Sequence, residues 1–252
     1  MIFCRFLSEG EPRYGIVERH HVVEISPNPF SGFEQTGEPI PFSETRFLAP
    51  TVPTKNIAIG INYRDHAKEM GHDLPPEPLF FLKPPSSVIG SQEPIRIPKM
   101  SGRVEYEGEL ALVIKKKAKD VSKETALDYV LGYTCFNDVT ARDLQRKDSQ
   151  WSRAKGFDTF APMGPWIVSD LDASDLPVET YVNGELKQRG NTKDMIYNIP
   201  FLISYVSQVM TLEPGDVITT GTPPGVGILN PGDEVAVKIE GIGMLMNAVE
   251  KG

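Results

Sequence analysis

The chain has 252 residues, with 26 Lys and Arg against 34 Asp and Glu and a net charge of −8. It therefore lacks the basic surface that displaces phosphate counterions, and no nucleic-acid partner is expected. Its 22 glycines and 22 prolines make up about 17% of the chain against a usual share of roughly 12%. With 40% apolar residues and no short repeat, that excess excludes collagen and disorder and predicts many short strands joined by tight turns. Cys4 and Cys135 are too few for a disulfide framework and too far apart for a zinc site. No apolar run reaches the roughly 18–20 residues of a membrane span. MIFCRFLSEG meets charge and glycine too early for a signal peptide, so the expectation is cytoplasmic, with no membrane partner.

Residues 1–50 alternate apolar pieces (RYGIVE, HHVVEI) with SPNPFSGFEQTGEPIPFS. This predicts a small N-terminal strand-built domain closed by an irregular connection. APTVPTKN (49–56) marks a boundary, after which residues 54–252 form the main domain. IAIGIN predicts a buried strand, and YRDHAKEMG a short helix stopped at Gly71. DLPPEPLFFLKPPSS is too rich in proline for a helix and predicts a segment wrapped over the surface. VEYEGELALVI (104–114) alternates throughout, with Glu105, Glu107, Glu109, Ala111 and Val113 on one face and Tyr106, Gly108, Leu110, Leu112 and Ile114 on the other. Ser122 predicts the cap of a helix through Tyr129 ended by Gly132, and YTCFNDV another strand. Asn198 caps a further predicted helix, with Pro200 in its first turn and Leu202, Val206, Val209 and Met210 on its buried face. The last forty residues alternate turns (PGD twice) with strand-like pieces. The class is α+β, predominantly β, with two or three helices and about a dozen short strands.

The strongest chemical signal is Glu107-Gly108-Glu109. Residues two apart on a strand point the same way, about 6.6–6.8 Å apart, so their carboxylates can converge on one ion if a third ligand arrives; Asp138 is available. Three carboxylates without a soft ligand suit Mg²⁺ or Mn²⁺. A solvated strand face would carry the same alternation. His66 and Glu69, at i and i+3, are neighbours on a helix and form either a general base with its orienting carboxylate or an exposed helix turn. His20, His21 and His72 have no such partner and are read as surface residues. Lys83, Arg142 and Lys155 are candidates for recognising an anionic substrate, or ordinary salt-bridge partners. TGTPPGVG and GIGM lack the context of a phosphate loop or dinucleotide site, so no nucleotide cofactor is expected. No G-x-S-x-G elbow is present, and neither cysteine has a histidine partner.

The ordered series NYRDHAKEMG, FLKPPSS, VEYEGELALVI, GYTCFNDVTARDLQ, KGFDTFAPMGP, VNGELKQ and LEPGDVITTGTPPGVG closely resembles the fumarylacetoacetate hydrolase superfamily over about residues 54–250. The resemblance implies a mixed β-sandwich roll preceded by a small β-rich N-terminal domain, and a homodimer. It implies that Glu107, Glu109 and Asp138 bind Mg²⁺ or Mn²⁺, and that His66 and Glu69 stand on a short helical lid. The branch it most resembles contains acylpyruvate hydrolases and oxaloacetate decarboxylases. The expected activity is C–C hydrolysis or decarboxylation of a small anionic 2-oxo acid through a metal-stabilised enolate. His66 and Glu69 would activate water and Lys155 would complete the catalytic set. Arg142 and Gln145 would position the carboxylate and the oxyanion, with Lys83 as a further cation and Thr222 bonded to the 2-oxo acid. The alternatives are an isomerase of 2-hydroxyhepta-2,4-diene-1,7-dioate or a decarboxylase of 5-oxopent-3-ene-1,2,5-tricarboxylate in aromatic catabolism and, more remotely, a non-catalytic metal-binding homologue.

Overall fold

A computed structural model describes residues 1–71 and 73–252; His72 lies outside the described residues. The described residues form a mixed β-sandwich roll of three sheets. The large sheet runs, in spatial order, Phe33–Pro41, His21–Pro27, Glu11–Glu18, Ile2–Ser8, Ala161–Val168, Val130–Asn137, Gly108–Ile114, Val217–Thr219, Asn56–Gly60 and Leu79–Lys83. The N-terminal strands join it through Ile2–Ser8, which pairs antiparallel with Ala161–Val168. A five-stranded sheet contains Glu185–Asn191, Pro177–Val182, Glu234–Ile239, Gly243–Lys251 and Ile95–Ile97. The third, of three short strands, joins Thr140–Ala141, Val104–Tyr106 and Gly227–Ile228.

Two cores explain the apolar run ELALVI. Leu110, Leu112 and Ile114 pack with Val237, Ile239 and Leu245 of the five-stranded sheet and with Leu202, Ile203 and Val206. On the opposite face, Ala111 and Val113 meet Phe3, Ile16, Ile25, Phe136 and Met163. A strand covered on both faces loses its polar alternation. Only Glu109, near its start, carries charge into this interior.

Four α-helices occur among the described residues: α1 (Arg64–Met70), α2 (Arg142–Lys147), α3 (Ser152–Lys155) and α4 (Ile199–Val209). None is long and apolar enough to cross a membrane. α1 ends as predicted, with Gly71 in the left-handed region at φ 70°. α4 begins as predicted, the Asn198 side chain accepting from the Phe201 N–H with Pro200 in the first turn.

Several expectations need correction. The buried face of α4 includes Ile199 and Ile203, whereas Val209 is 56% exposed and Met210 is the C-cap. The helix expected over Ser122–Tyr129 is only a 3-10 turn at Ala126–Tyr129. Gly132 does not end it; it lies inside Val130–Asn137, where a Cβ would stand 2.4 Å from the Val168 carbonyl oxygen, so close strand approach is what demands glycine there. Two proline-rich segments contain strands, Phe33–Pro41 and Leu79–Lys83, both at sheet edges, where proline costs fewest ladder bonds. The strand expected over 104–114 breaks at Glu107 and passes from the small sheet to the large one.

Candidate active site

The break at Glu107 builds the site. Its N–H donates to Asn137 Oδ1 at 3.0 Å, and its carbonyl accepts from the Asp138 N–H at 2.8 Å. The chain switch therefore meets the end of strand Val130–Asn137 and sets Glu107 beside Asp138. Gly108 then enters the large sheet so close to the five-stranded sheet that a Cβ would lie 2.0 Å from Thr180 Oγ1. Its N–H donates to Gln188 Oε1 at 2.9 Å, and its carbonyl accepts from the Thr222 hydroxyl at 2.9 Å. Glu109 follows, accepting from the Gly221 N–H at 3.0 Å. Carboxylate oxygens of Glu107, Glu109 and Asp138 lie within 4.8 Å of one another, and all three residues are buried.

Cations are distributed unevenly over this triad. Lys155 Nζ donates to Glu107 Oε2 at 2.9 Å and to Asp138 Oδ2 at 2.6 Å. Arg142 donates through Nη2 to Glu107, through Nε to Glu105 at 2.6 Å and through Nη1 to Gln145 Oε1 at 2.5 Å. Lys83, wholly buried, bonds Asp138 and the Val139 carbonyl at 3.1 Å. Burial alone would raise the Glu107 carboxyl, but Lys155 and Arg142 hold it below the ordinary range. Burial alone would lower Lys155, but Asp138 and Glu107 hold it above its ordinary value. Burial draws Lys83 from 10.5 down to about 8, against the pull of Asp138.

Glu109 differs. Among the described residues no Lys, Arg or His forms an ion pair with it. Burial, then Asp138 and Glu107, push its carboxyl well above the ordinary value. The triad has three hard oxygen donors and one carboxylate left without a cation, which is what a divalent ion such as Mg²⁺ or Mn²⁺ would relieve. The residues present fit the metal that the resemblance implies.

α1 stands across the cleft. Asn62, just before it, donates to the Thr220 and Tyr197 carbonyls at 2.8 and 3.0 Å and accepts from the Tyr197 N–H at 2.9 Å. This fixes the helix beside the chain that binds Glu109. His66 is buried, and its Nδ1 lies 3.0 Å from Glu69 Oε2; Glu69 Oε1 accepts from the Gly225 N–H at 3.0 Å. Glu69 is therefore held at both oxygens. With Nδ1–H donated to it, the basic lone pair of His66 is on Nε2.

One cleft is lined by His66, Glu107, Glu109, Asp138, Arg142, Gln145, Lys155 and Thr222, together with Ile59, Gly60, Ile61, Met70, Phe81 and Trp151. Of the ten site residues expected from sequence, the eight polar ones just named converge there. Glu69 stands behind His66, and Lys83 behind Asp138. The proton of Thr222 is committed to the Gly108 carbonyl while its oxygen accepts from Gln188 Nε2 at 2.8 Å, so this hydroxyl holds the strand in place. Sequence reasoning missed the apolar wall of Phe81 and Trp151: Phe81 opens the FLKPPSS block but was given no role, and Trp151 lies outside every block that carries the resemblance. The role of Glu105, which shares Arg142 with Glu107, was missed as well. Its alternation with Glu107 was visible, but its partner was not.

The family model described as "Fumarylacetoacetate (FAA) hydrolase C-terminal" matches residues 55–250, and one described as "Rv2993c-like, N-terminal" matches residues 1–50. The human mitochondrial oxaloacetate tautomerase FAHD2A is 41% identical over 97% of this chain and 78% of the human protein. The crystal structure of a 5-carboxymethyl-2-hydroxymuconate delta-isomerase from Mycobacterium smegmatis superposes with a TM-score of 0.95 at 45% identity, covering 100% of both chains. That of a 2-hydroxyhepta-2,4-diene-1,7-dioate isomerase from Mycobacterium marinum gives 0.93 at 43% identity, over 100% of this chain and 98% of that one.

Proposed function

This chain belongs to the fumarylacetoacetate hydrolase family, whose members are enzymes, and from that premise we propose that it is a divalent-metal-dependent enzyme acting on small 2-oxo carboxylates. The proposed step is a proton shift at the carbon next to the 2-oxo group, as in tautomerisation or double-bond isomerisation. The observation that carries this is the His66–Glu69 pair, with Nε2 as the free base, facing three buried carboxylates across one cleft. The names of the tautomerase and isomerase relatives support it.

Glu107, Glu109 and Asp138 would hold the ion, which supplies Lewis-acid polarisation of the 2-oxo group. The other roles belong to side chains. Glu69 accepts from Nδ1 and keeps Nε2 available to take a proton from carbon or return it. Lys155 has spent two of its three N–H donors on Glu107 and Asp138, leaving one for an anionic substrate oxygen. Arg142 is engaged by Glu105, Glu107 and Gln145. Its bond to Gln145 Oε1 leaves the Gln145 amide N–H₂ to donate to the substrate carboxylate.

C–C hydrolysis of an acylpyruvate, or decarboxylation of oxaloacetate, is the second reading. Glu69 is 36% exposed, so the base pair borders solvent and can draw its proton from water as well as from carbon. A substrate panel followed for enol absorbance, pyruvate and CO₂, with and without Mg²⁺, tests both. Enol–keto or double-bond interconversion without pyruvate or CO₂ supports the proton shift. Pyruvate release from acylpyruvates supports hydrolysis, and CO₂ release from oxaloacetate supports decarboxylation. No turnover of any 2-oxo acid by the metal-loaded protein overturns the proposal. The resemblance also makes a homodimer the proposed assembly, which sedimentation tests.

A further inference from the structure

The polar end of the cleft is shut behind the triad. The Thr222 hydroxyl and the Gln188 side chain bond to each other and to Gly108, so nothing longer can extend that way. In the other direction the contacts run outward in order. Lys155 Nζ, which bridges Glu107 and Asp138, lies 5.1 Å from the centre of the Phe81 ring. Phe81 meets Trp151 edge to face, with ring centres 5.3 Å apart and planes at 74°. The indole in turn is pressed against Gly60, where a Cβ would stand only 2.9 Å from Trp151 Cζ3. Such a contact leaves no gap between the indole and strand Asn56–Gly60.

We propose that Trp151 is the residue that limits substrate length: its indole, seated on Gly60 and Phe81, closes the far end of the cleft, so the enzyme takes 2-oxo acids with a short distal group. This rests on the site being a 2-oxo acid site, as proposed above. The tie of Trp151 to α3 runs through its backbone. α3 begins with the Lys155 N–H donating to the Trp151 backbone carbonyl at 3.0 Å, a bond that survives truncation of the side chain. Removing the indole therefore opens space beyond Phe81 while leaving Lys155 on its two carboxylates.

The test uses unreactive mimics of the 2-oxo acid head, oxalate and a series of N-alkyl oxamates of increasing chain length. Their binding to the Mg²⁺-loaded full chain is measured by calorimetry for wild type, Trp151→Phe and Trp151→Ala. In wild type, affinity is expected to drop by about tenfold or more once the alkyl chain reaches the indole, the scale on which an apolar pocket discriminates one methylene. In Trp151→Ala the drop moves to longer chains, in Trp151→Phe it falls between, and oxalate affinity stays at the wild-type value. A drop at the same chain length in all three proteins overturns the proposal, even if 2-oxo acids are turned over. So does a uniform loss of affinity, oxalate included, which makes Trp151 a support of the fold. A shifted drop without turnover of any 2-oxo acid upholds the length limit and counts against the proposed reaction. Failure of wild type to bind oxalate overturns the 2-oxo acid site and the length limit with it.

Discussion

Lys155 Nζ lies 2.9 Å from Glu107 Oε2 and 2.6 Å from Asp138 Oδ2, so one buried ammonium joins two of the three carboxylates that face the cleft. The same lysine thus bridges the triad and, in the proposed function, keeps its third N–H for the substrate.

Replacing it separates these roles. Lys155→Met keeps most of the stem but leaves two buried carboxylates without their shared partner, and breaking a buried pair costs roughly 3–5 kcal/mol. The metal-free variant should melt lower by on the order of 10 °C. Mg²⁺ or Mn²⁺ should raise its Tm more than that of wild type, because the ion takes over the neutralising charge. Turnover should fall while metal affinity holds or tightens. Equal melting of the two metal-free proteins would show that the bridge contributes no stability.

The raised carboxyl of Glu109 sets a pH dependence. Folding favours its protonated form, because burial and then Asp138 and Glu107 oppose the charge. The unfolded chain releases this proton near the ordinary value of 4.5 while the folded chain keeps it, so this contribution to stability falls as pH rises from there towards the raised value. Glu109→Gln should flatten that part of the metal-free stability profile in denaturant melts. Metal binding should release a proton from wild type and fewer from the variant. Parallel profiles for the two proteins would contradict the assignment.

His66→Ala should reduce kcat by roughly 10²–10⁴-fold, the range for a positioned general base, with little change in metal affinity. Hydrolysis of an acylpyruvate should suffer more than decarboxylation of oxaloacetate, which needs no activated water. Glu69→Gln should give a smaller loss in kcat, since the imidazole remains but the carboxylate that orients it is gone. Equal losses in both reactions for His66→Ala would make His66 a substrate-binding group.

Much of the site was legible because its signals are local. Glu107 and Glu109 are two residues apart in sequence, and His66 and Glu69 three apart on a helix. Fold class, the stop of α1 and the start of α4 were legible from turn formers and capping residues for the same reason. What escaped depends on distant chain. The 104–114 segment alternates evenly, yet it breaks at Glu107 because Asn137 and Asp138 take its backbone bonds. Gly132 looked like a helix stop because only the fold shows the Val168 carbonyl against it. The pairing of Glu105 with Arg142 and the edge-to-face contact of Phe81 with Trp151 likewise join residues far apart in sequence.

Gly108 is a case where the motif and the fold make separate demands. A methyl group there would meet Thr180 Oγ1 at 2.0 Å, and overpacking a tight core costs roughly 1–3 kcal/mol. Gly108→Ala should lower Tm and weaken metal binding together, because the shift moves Glu107 and Glu109 apart. Adding Thr180→Ala removes the clashing hydroxyl and should recover part of both losses. A double variant no better than the single one would place the strain elsewhere.

The most direct test of the metal-centred account is Mn²⁺ binding by calorimetry to metal-free wild type and Glu109→Gln, with turnover of 2-oxo acids measured on the same samples. The account predicts one ion per chain in wild type, activity rising in step with occupancy, and binding lost or greatly weakened in the variant. Full activity in a wild-type sample shown metal-free by elemental analysis would contradict it.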